Sequence, residues 1–210
     1  AASDVYKRQK LLSSYSGIAV RENTAVGLLR QMDIECAGQV LDPTLLLTGD
    51  EWSRMIKKDM GGKYVLVYQL HNNPALSKYA VRFAEHVGLP LYRVSPTFHQ
   101  IRRGGKFIYL PDLPDFLSYI KNSTYFITDS FHGTAFAINF NTQFIEVLPN
   151  TKTGSRNQSI LHLTDLQDRI VTDFNDFSLT NKKIDFERVN NIIATERAKS
   201  IHTLKTIIEQ

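Results

Sequence analysis

The sequence contains a single cysteine, Cys36, among its 210 residues. An intrachain disulfide and a CxxC metal or redox motif are therefore excluded, and this cysteine content fits a reducing compartment. No apolar run approaches the roughly 20 residues that a membrane helix needs, so we predict no transmembrane segment. No stretch interleaves basic with aromatic residues, so the net charge of +4 does not indicate a nucleic-acid partner. The histidines show no metal-ligand spacing, and we predict no metal site.

Short apolar segments alternate with helix-like segments along the chain. The segment 63–68, KYVLVY, is a nearly continuous apolar run, which is typical of a central parallel strand. Residues 186–208 carry apolar positions at helical spacing and predict a long C-terminal helix. Further short strands are predicted at 18–20, 40–41, 91–94, 107–109, 125–128 and 144–147. This alternation predicts an α/β protein with a doubly wound, Rossmann-like parallel sheet.

Changes in pattern along the chain predict four segments. Residues 1–10 show no periodicity and do not begin with Met, so we interpret them as a non-native or disordered tail. Residues 11–60 look like the remnant of an N-terminal Rossmann-like domain, and residues 61–180 like a C-terminal Rossmann-like domain. Residues 181–210 form the predicted helix, which we expect to pack back across the domains. The chain is therefore expected to be a fragment.

The stretch TDSFHGTAFAINF, residues 128–140, places polar side chains where a strand becomes a helix. In open parallel sheets, ligands bind beyond the carboxyl ends of the strands. Ser130 suits the N-cap position, and His132 then falls in the first turn, where the helix dipole favours an anion by about 0.3–1 kcal/mol. Gly133 would let a ligand approach the backbone closely. The alternative is that Ser130 only caps the helix and His132 donates to a nearby carbonyl.

Two further residues are candidates for the same edge of the sheet. His71 follows the central strand and would face the cleft, or would simply be solvated there. Asp129 could orient the motif histidine, His132, or ligand hydroxyls, or it could cap the helix. A serine hydrolase is disfavoured, because its nucleophile elbow needs glycine two residues before the serine, where this chain has Thr128. His132 is also too close to Ser130 along the chain to serve easily as its base.

The motif resembles the signature block of the polysaccharide pyruvyl transferases, a strand followed by [ST]-D-[SR]-[FL]-H-G and a small-residue helix. The stretch IAVRENTAVGLLRQMDIECAGQVLDPTLLLTGDEW is similar to that family's S-V-R-E helix and V-L-D-P-T-L-L-L turn. GSRNQSILHLTDLQDRIV is similar to a third segment, so the resemblance runs from about residue 17 to 209. It implies a glycosyltransferase-B-like two-domain architecture whose N-terminal domain is largely missing here.

The resemblance also implies an activity: transfer of pyruvate from phosphoenolpyruvate to a sugar diol as a cyclic ketal, in cell-surface or exopolysaccharide biosynthesis. Phosphoenolpyruvate is then the donor substrate rather than a cofactor, and a glycan or lipid-linked sugar is the acceptor. His132 matches the family's motif histidine and would act as general acid or base. Arg21 and Arg156 would hold the donor anion together with Ser130 and the backbone at Gly133, and Asp129 is a further substrate-binding candidate. The expected location is the cytoplasm or the inner face of the membrane.

One position departs from the family pattern. Many members carry arginine where this chain has Ser130, which can hydrogen-bond a phosphate but has no charge. Some of the donor's charge must then be met elsewhere, and Arg102, Arg103 and Lys106 in a glycine-containing loop are candidates. Two alternative functions follow. One is a glycosyltransferase that uses a nucleotide-sugar donor, and the other is a non-catalytic sugar- or anion-binding module.

Overall fold

The computed structural model describes residues 2–149 and 154–209. In chain order, the helices are α1 (Ala2–Leu12), α2 (Asn23–Gln31), α3 (Pro43–Leu46), α4 (Gly49–Ser53), α5 (Pro74–Val87), α6 (Leu113–Asn122), α7 (Phe131–Asn139), α8 (Gly154–Leu163) and α9 (Phe186–Ile208). The strands are β1 (Ala19–Val20), β2 (Gly38–Gln39), β3 (Val65–Tyr68), β4 (Leu91–Ser95), β5 (Lys106–Tyr109), β6 (Tyr125–Thr128) and β7 (Phe144–Glu146). Short 3₁₀ helices lie at 98–102, 167–169 and 178–180.

The chain divides into two compact units, which are described separately. The first comprises residues 1–46 with 191–210, and the second comprises residues 47–190. Residues 47–60 belong to the second unit because α4 packs on its helices: the Trp52 ring lies 5.1 Å from the Phe136 ring of α7, nearly perpendicular to it. The four-segment division above stays a prediction about the whole protein.

The second unit is built on a five-stranded sheet in the order β5-β4-β3-β6-β7, and every pairing is parallel. From the central strand β3 the chain moves outward through β4 and β5, then returns to the other side of β3 through β6 and β7. The order of the strands therefore reverses between β3 and β6, which is where ligands bind in folds of this class. The predicted doubly wound parallel sheet is confirmed.

The core of the second unit explains why the central strands are apolar on both faces. Val65, Leu66 and Val67 of β3 are fully buried, as are Phe126 and Ile127 of β6. Helices cover both faces of such a sheet, so alternation of apolar and polar residues is not expected in these strands. Helix α5 contributes its apolar stripe to the same core: Leu76, Tyr79, Ala80, Phe83 and Ala84.

The first unit is smaller and differs from expectation in three places. Its strand pair is parallel and joins β1 to β2 at Gly38–Gln39, two residues before the predicted 40–41. Residues 2–10, treated above as a tail, are helical in α1, where the Gln9 amide donates to the carbonyl of Met32 at 2.7 Å. Whether this segment is native stays a prediction. The predicted apolar stripe of α9 holds only in part, since Ile208 is 81% exposed.

Polar contacts explain the face that α9 presents within the first unit. Ser200 is buried and its hydroxyl accepts the backbone N–H of Leu41 at 2.9 Å. Arg197 donates to the carbonyl of Leu45 at 2.7 Å. Contacts with the segment 41–45 therefore decide which side of α9 is buried here. The hydrophobic spacing along α9 does not reveal these contacts. No described helix is both long and apolar enough to span a bilayer.

Candidate functional site

The candidate site lies where β3 and β6 end side by side. Tyr68 and Thr128 are register partners at the carboxyl ends of these two strands. The Thr128 hydroxyl donates to the Tyr68 carbonyl at 2.8 Å and accepts the Ser130 N–H at 3.0 Å. This hydroxyl therefore ties the end of β3 to the turn that starts α7. The motif residues 128–133 thus stand at the point where the strand order reverses.

Ser130 is the N-cap of α7, as predicted. Its backbone is extended, with φ −101° and ψ 126°, and its hydroxyl accepts the Gly133 N–H at 3.3 Å. The side chain is buried, so capping occupies it in this structure. The N–H groups of Phe131 and His132 donate to no residue within the described ranges. A helix start with such unused donors suits a bound anion.

His132 is exposed at the first turn of α7. Its imidazole meets the neighbouring Phe131 ring edge-on at 5.5 Å and forms no hydrogen bond within residues 2–149 and 154–209. The side chain is therefore available to a ligand at the carboxyl edge of the sheet, and the alternative donation to a nearby carbonyl is not seen among the described residues. Its catalytic role stays a prediction.

Arg156 reaches the same aromatic ring from α8. The centre of its guanidinium lies 5.4 Å from the centroid of the Phe131 ring, within the range of a cation–π contact. Phe131 thus contacts both the imidazole of His132 and the guanidinium of Arg156. The structure brings these two predicted site residues to one side chain, although they are separated by an intervening strand.

Gly133 has a different role from the one expected. It is buried, and a Cβ atom placed there would lie 2.7 Å from the Thr128 hydroxyl and 3.2 Å from the Phe126 ring. Its N–H is used by the Ser130 cap. The glycine therefore permits α7 to pack closely on β6, and close approach of a ligand to this backbone is not what requires it.

Replacement of Gly133 by alanine is expected to lower the free energy of unfolding by about 1–3 kcal/mol, because the new methyl group overpacks the contact with Thr128 and Phe126. Gly27→Ala is the matched control, since a Cβ at that position in α2 meets nothing within 4 Å. That control should be neutral or stabilise by about 0.4–1 kcal/mol. Urea denaturation of both variants measures the difference, and equal stabilities would contradict this role for Gly133.

Asp129 joins the carboxyl ends of β3 and β6, although its sequence context did not favour it over the neighbouring polar residues. Its carboxylate is 2% exposed and accepts the backbone N–H groups of Leu70 and His71 at 2.7 and 2.9 Å. Nδ1 of His71 lies 3.2 Å from the same carboxylate. Burial raises the pKa of Tyr68, and the Asp129 charge raises it further. Among the described residues, Asp129 therefore orients His71 rather than the motif histidine His132. It also ties the loop after β3 to the end of β6, and Ser130 rather than Asp129 caps α7.

Arg21 belongs to the first unit and is described there. It follows β1, and its guanidinium forms an ion pair with the buried carboxylate of Asp42. Asp42 also accepts the backbone N–H and the hydroxyl of Thr44, at 3.0 and 2.6 Å. Burial alone would raise the pKa of Asp42, but the hydrogen bonds from Thr44 and the Arg21 charge together lower it. Asp42 thus stands immediately before α3 and is a partner of both Thr44 and Arg21.

The three cations of the glycine-containing loop have separate surroundings. Arg103 donates to the Asn72 and Ser77 side chains, at 2.6 and 3.3 Å. Lys106 lies over the Tyr92 ring at 5.0 Å, and Arg102 is exposed. Buried Arg93 anchors the loop by donating to the carbonyls of Gly104 and Arg103 at 3.0 and 3.1 Å. No described contact joins these cations to His132.

Glu146, which contacts both α7 and α8, is not among the residues predicted from the sequence. It ends β7 and is fully buried; its carboxyl group lies within hydrogen-bond distance of the Thr134 hydroxyl of α7 and accepts the Asn157 amide of α8. Burial raises its pKa to about 8, and the nearby Asp129 charge raises it too, against the opposing effect of the two hydrogen bonds. The sequence did contain one indication of this residue, because Glu146 is the only charged side chain in the apolar segment FIEV, residues 144–147. The described residues contain no cluster of three or more metal-ligating side chains.

One comparison with known proteins agrees with the family resemblance of the motif at residues 128–133. The family model described as polysaccharide pyruvyl transferase matches residues 3–151, a range that includes Arg21, His71 and the 128–133 turn but ends before Arg156. No curated protein sequence matches the chain. Among solved structures, the chain is similar to a spinosyn rhamnosyltransferase, SpnG, complexed with thymidine diphosphate. The identity is 13%, the TM-score is 0.41, and the similarity covers 83% of this chain and 49% of that one. The chain therefore spans about half the length of that protein.

Proposed function

Because the chain belongs to the polysaccharide pyruvyl transferase family, we propose that it transfers pyruvate from phosphoenolpyruvate to a sugar diol, forming a cyclic ketal. The observation that carries this proposal is the exposed imidazole of His132 at the start of α7, with Arg156 across the Phe131 ring. A proton donor beside a cation, at a helix start, matches the needs of a negatively charged enol donor.

The proposed reaction uses His132 as the proton carrier. The protonated imidazole gives its proton to the methylene carbon of phosphoenolpyruvate, and this carbon becomes the ketal methyl group. The first sugar hydroxyl then bonds to the neighbouring carbon and returns its proton to the imidazole. The second hydroxyl bonds to the same carbon as the carbon–oxygen bond to phosphate breaks, and its proton leaves with the phosphate. The two hydroxyl protons thus account for one C–H bond and one proton on phosphate.

The anionic groups of the donor need partners that are already in place. The N–H groups of Phe131 and His132, which donate to no described residue, can donate to one phosphate or carboxylate oxygen, with help from the helix dipole. Arg156 can bind the second anionic group in a bidentate way, which lysine cannot do. Arg21 is proposed as a further cation on the strength of the family motif. His71, oriented by Asp129, is proposed to contact the acceptor hydroxyls.

The test is phosphate release from phosphoenolpyruvate, measured with and without a panel of glycan or lipid-linked sugar acceptors. We expect release that depends on the acceptor, together with a new ketal methyl signal from ¹³C-labelled donor in the NMR spectrum of the product. Transfer from a nucleotide sugar without phosphate release would assign a glycosyltransferase instead. Binding of sugar or phosphoenolpyruvate with neither reaction would assign a binding module. The cytoplasmic or inner-membrane location stays a prediction.

A further inference from the structure

Glu146 links the two helices that carry the proposed donor-binding residues. Its side chain is fully buried at the end of β7. One carboxyl oxygen contacts the Thr134 hydroxyl in the first turns of α7 at 2.5 Å, and the other accepts the Asn157 amide of α8 at 2.6 Å. Thr134 lies two residues after His132, and Asn157 follows Arg156 directly. Glu146 is therefore the buried connection between both segments.

The number of hydrogens available around Thr134 favours a protonated Glu146. The Thr134 hydroxyl has one hydrogen, but its oxygen is close to two oxygens, the carbonyl of Ser130 at 3.1 Å and the Glu146 carboxyl at 2.5 Å. An ionised Glu146 would leave one of these contacts without a hydrogen. A protonated Glu146 donates to Thr134, which then donates to Ser130, and the Asn157 amide satisfies the second carboxyl oxygen. Every contact is satisfied only in the protonated form.

The groups packed around Glu146 favour the same state. Helix α7 faces it with Thr134 and α8 with Asn157, and neither side chain titrates. From the neighbouring strand β6, Asp129 acts on it as a like charge. On the other side Ile170 forms a parallel bridge to Glu146, and the adjacent Arg169 is already paired with Asp168. No described cation contacts the Glu146 carboxyl group, so burial and Asp129 disfavour its charge.

We propose that Glu146, in its protonated form, is a positioning residue that joins α8 to the N-cap turn of α7 and so fixes Arg156 relative to His132. The proposal rests on the function proposed above for those two residues. Loss of the proton from Glu146 removes the donor to Thr134 and places a second negative charge near Asp129. The start of α7 then changes its hydrogen bonding, and donor binding weakens as the pH rises above about 8.

The first test concerns the proton and needs no activity. The pKa of Glu146 is raised in the folded state, to about 8 from an ordinary value of 4.5. The folded protein therefore binds the proton more tightly than the unfolded chain does, and the contribution is lost as pH rises through this window. Between pH 4.5 and about pH 8, the unfolding equilibrium constant of the wild type should increase about tenfold per pH unit relative to that of Glu146→Gln. The glutamine amide can replace the hydrogen bonds of the carboxyl group but does not titrate. Glu85→Gln, at an exposed position of α5, is the matched control. Parallel curves for wild type and Glu146→Gln would overturn the proton assignment.

The second test concerns positioning. The ring resonances of His132 should show, besides the imidazole's own titration, a second step near pH 8 in the wild type. This step should be absent in Glu146→Gln and in Thr134→Val, and His162 should not show it in any variant. Its absence from the wild type would overturn the positioning role, whether or not the enzyme transfers pyruvate. If the wild type is active, its kcat/KM for phosphoenolpyruvate should fall as the pH rises above 8. Over the same pH range, kcat/KM of Glu146→Gln should fall less than threefold. An inactive wild type with the two expected pH effects would contradict the proposed function alone.

Discussion

His132→Gln is expected to lower acceptor-dependent phosphate release from phosphoenolpyruvate by about 10²–10⁴-fold, the usual contribution of a general acid or base. Glutamine keeps a polar side chain of similar length but cannot give and take a proton at neutral pH. Because His132 is exposed and forms no hydrogen bond within the described part of the chain, its replacement should leave the fold intact. The loss should appear in kcat, since the step that fails is proton transfer.

His162→Gln is the control for this prediction. His162 is also an exposed helical histidine, and its ring contacts only Gln167 in the described structure, at 3.0 Å. Activity of the control should stay within twofold of the wild type. A folded His132→Gln protein with full ketal-forming activity would eliminate His132 as the proton carrier. Circular dichroism and urea denaturation of both variants establish that any loss is not caused by unfolding.

Asp129→Ala is expected to reduce the free energy of unfolding by about 2–5 kcal/mol. The substitution leaves the N–H groups of Leu70 and His71 without their buried acceptor, and hydrogen bonds to a charged group contribute about 1.5–3 kcal/mol each. It also removes the link between the loop that follows β3 and the end of β6, so His71 loses the carboxylate that orients its ring. Donor or acceptor binding should weaken together with stability.

Asp112→Ala provides the comparison for this effect. Asp112 is exposed and accepts a single backbone N–H, from Asp115, as the N-cap of α6. Its loss should cost about 1 kcal/mol, as is usual for an N-cap. Urea denaturation of the two variants at pH 7 measures the difference. Equal losses would mean that Asp129 contributes no more than an ordinary cap and does not hold the strand ends together.

Two features that depend on neighbours along the chain, the central strand and the start of α7, were predicted correctly. The run at 63–68 contains the central strand β3, because a strand covered on both faces must be apolar at successive positions. Ser130 caps α7 because its side chain needs only the next turn of backbone. Helix α9 was predicted from its length and spacing, yet its buried face was only partly identified. That face depends on backbone groups at 41 and 45, more than 150 residues away in sequence.

The sequence by itself determined the α/β class, the helix start at Ser130 and the candidate His132, since these follow from residue type and local spacing. Arg156 became a candidate only through the family resemblance. Only the tertiary structure decided that Asp129 binds the β3 loop, that Gly133 is required by packing on β6, and that Glu146 joins α7 to α8. Parallel strands that are neighbours in the sheet are joined by long connections along the chain. Which side chains meet at their ends is therefore set by strand order and register, and short-range patterns do not contain that information.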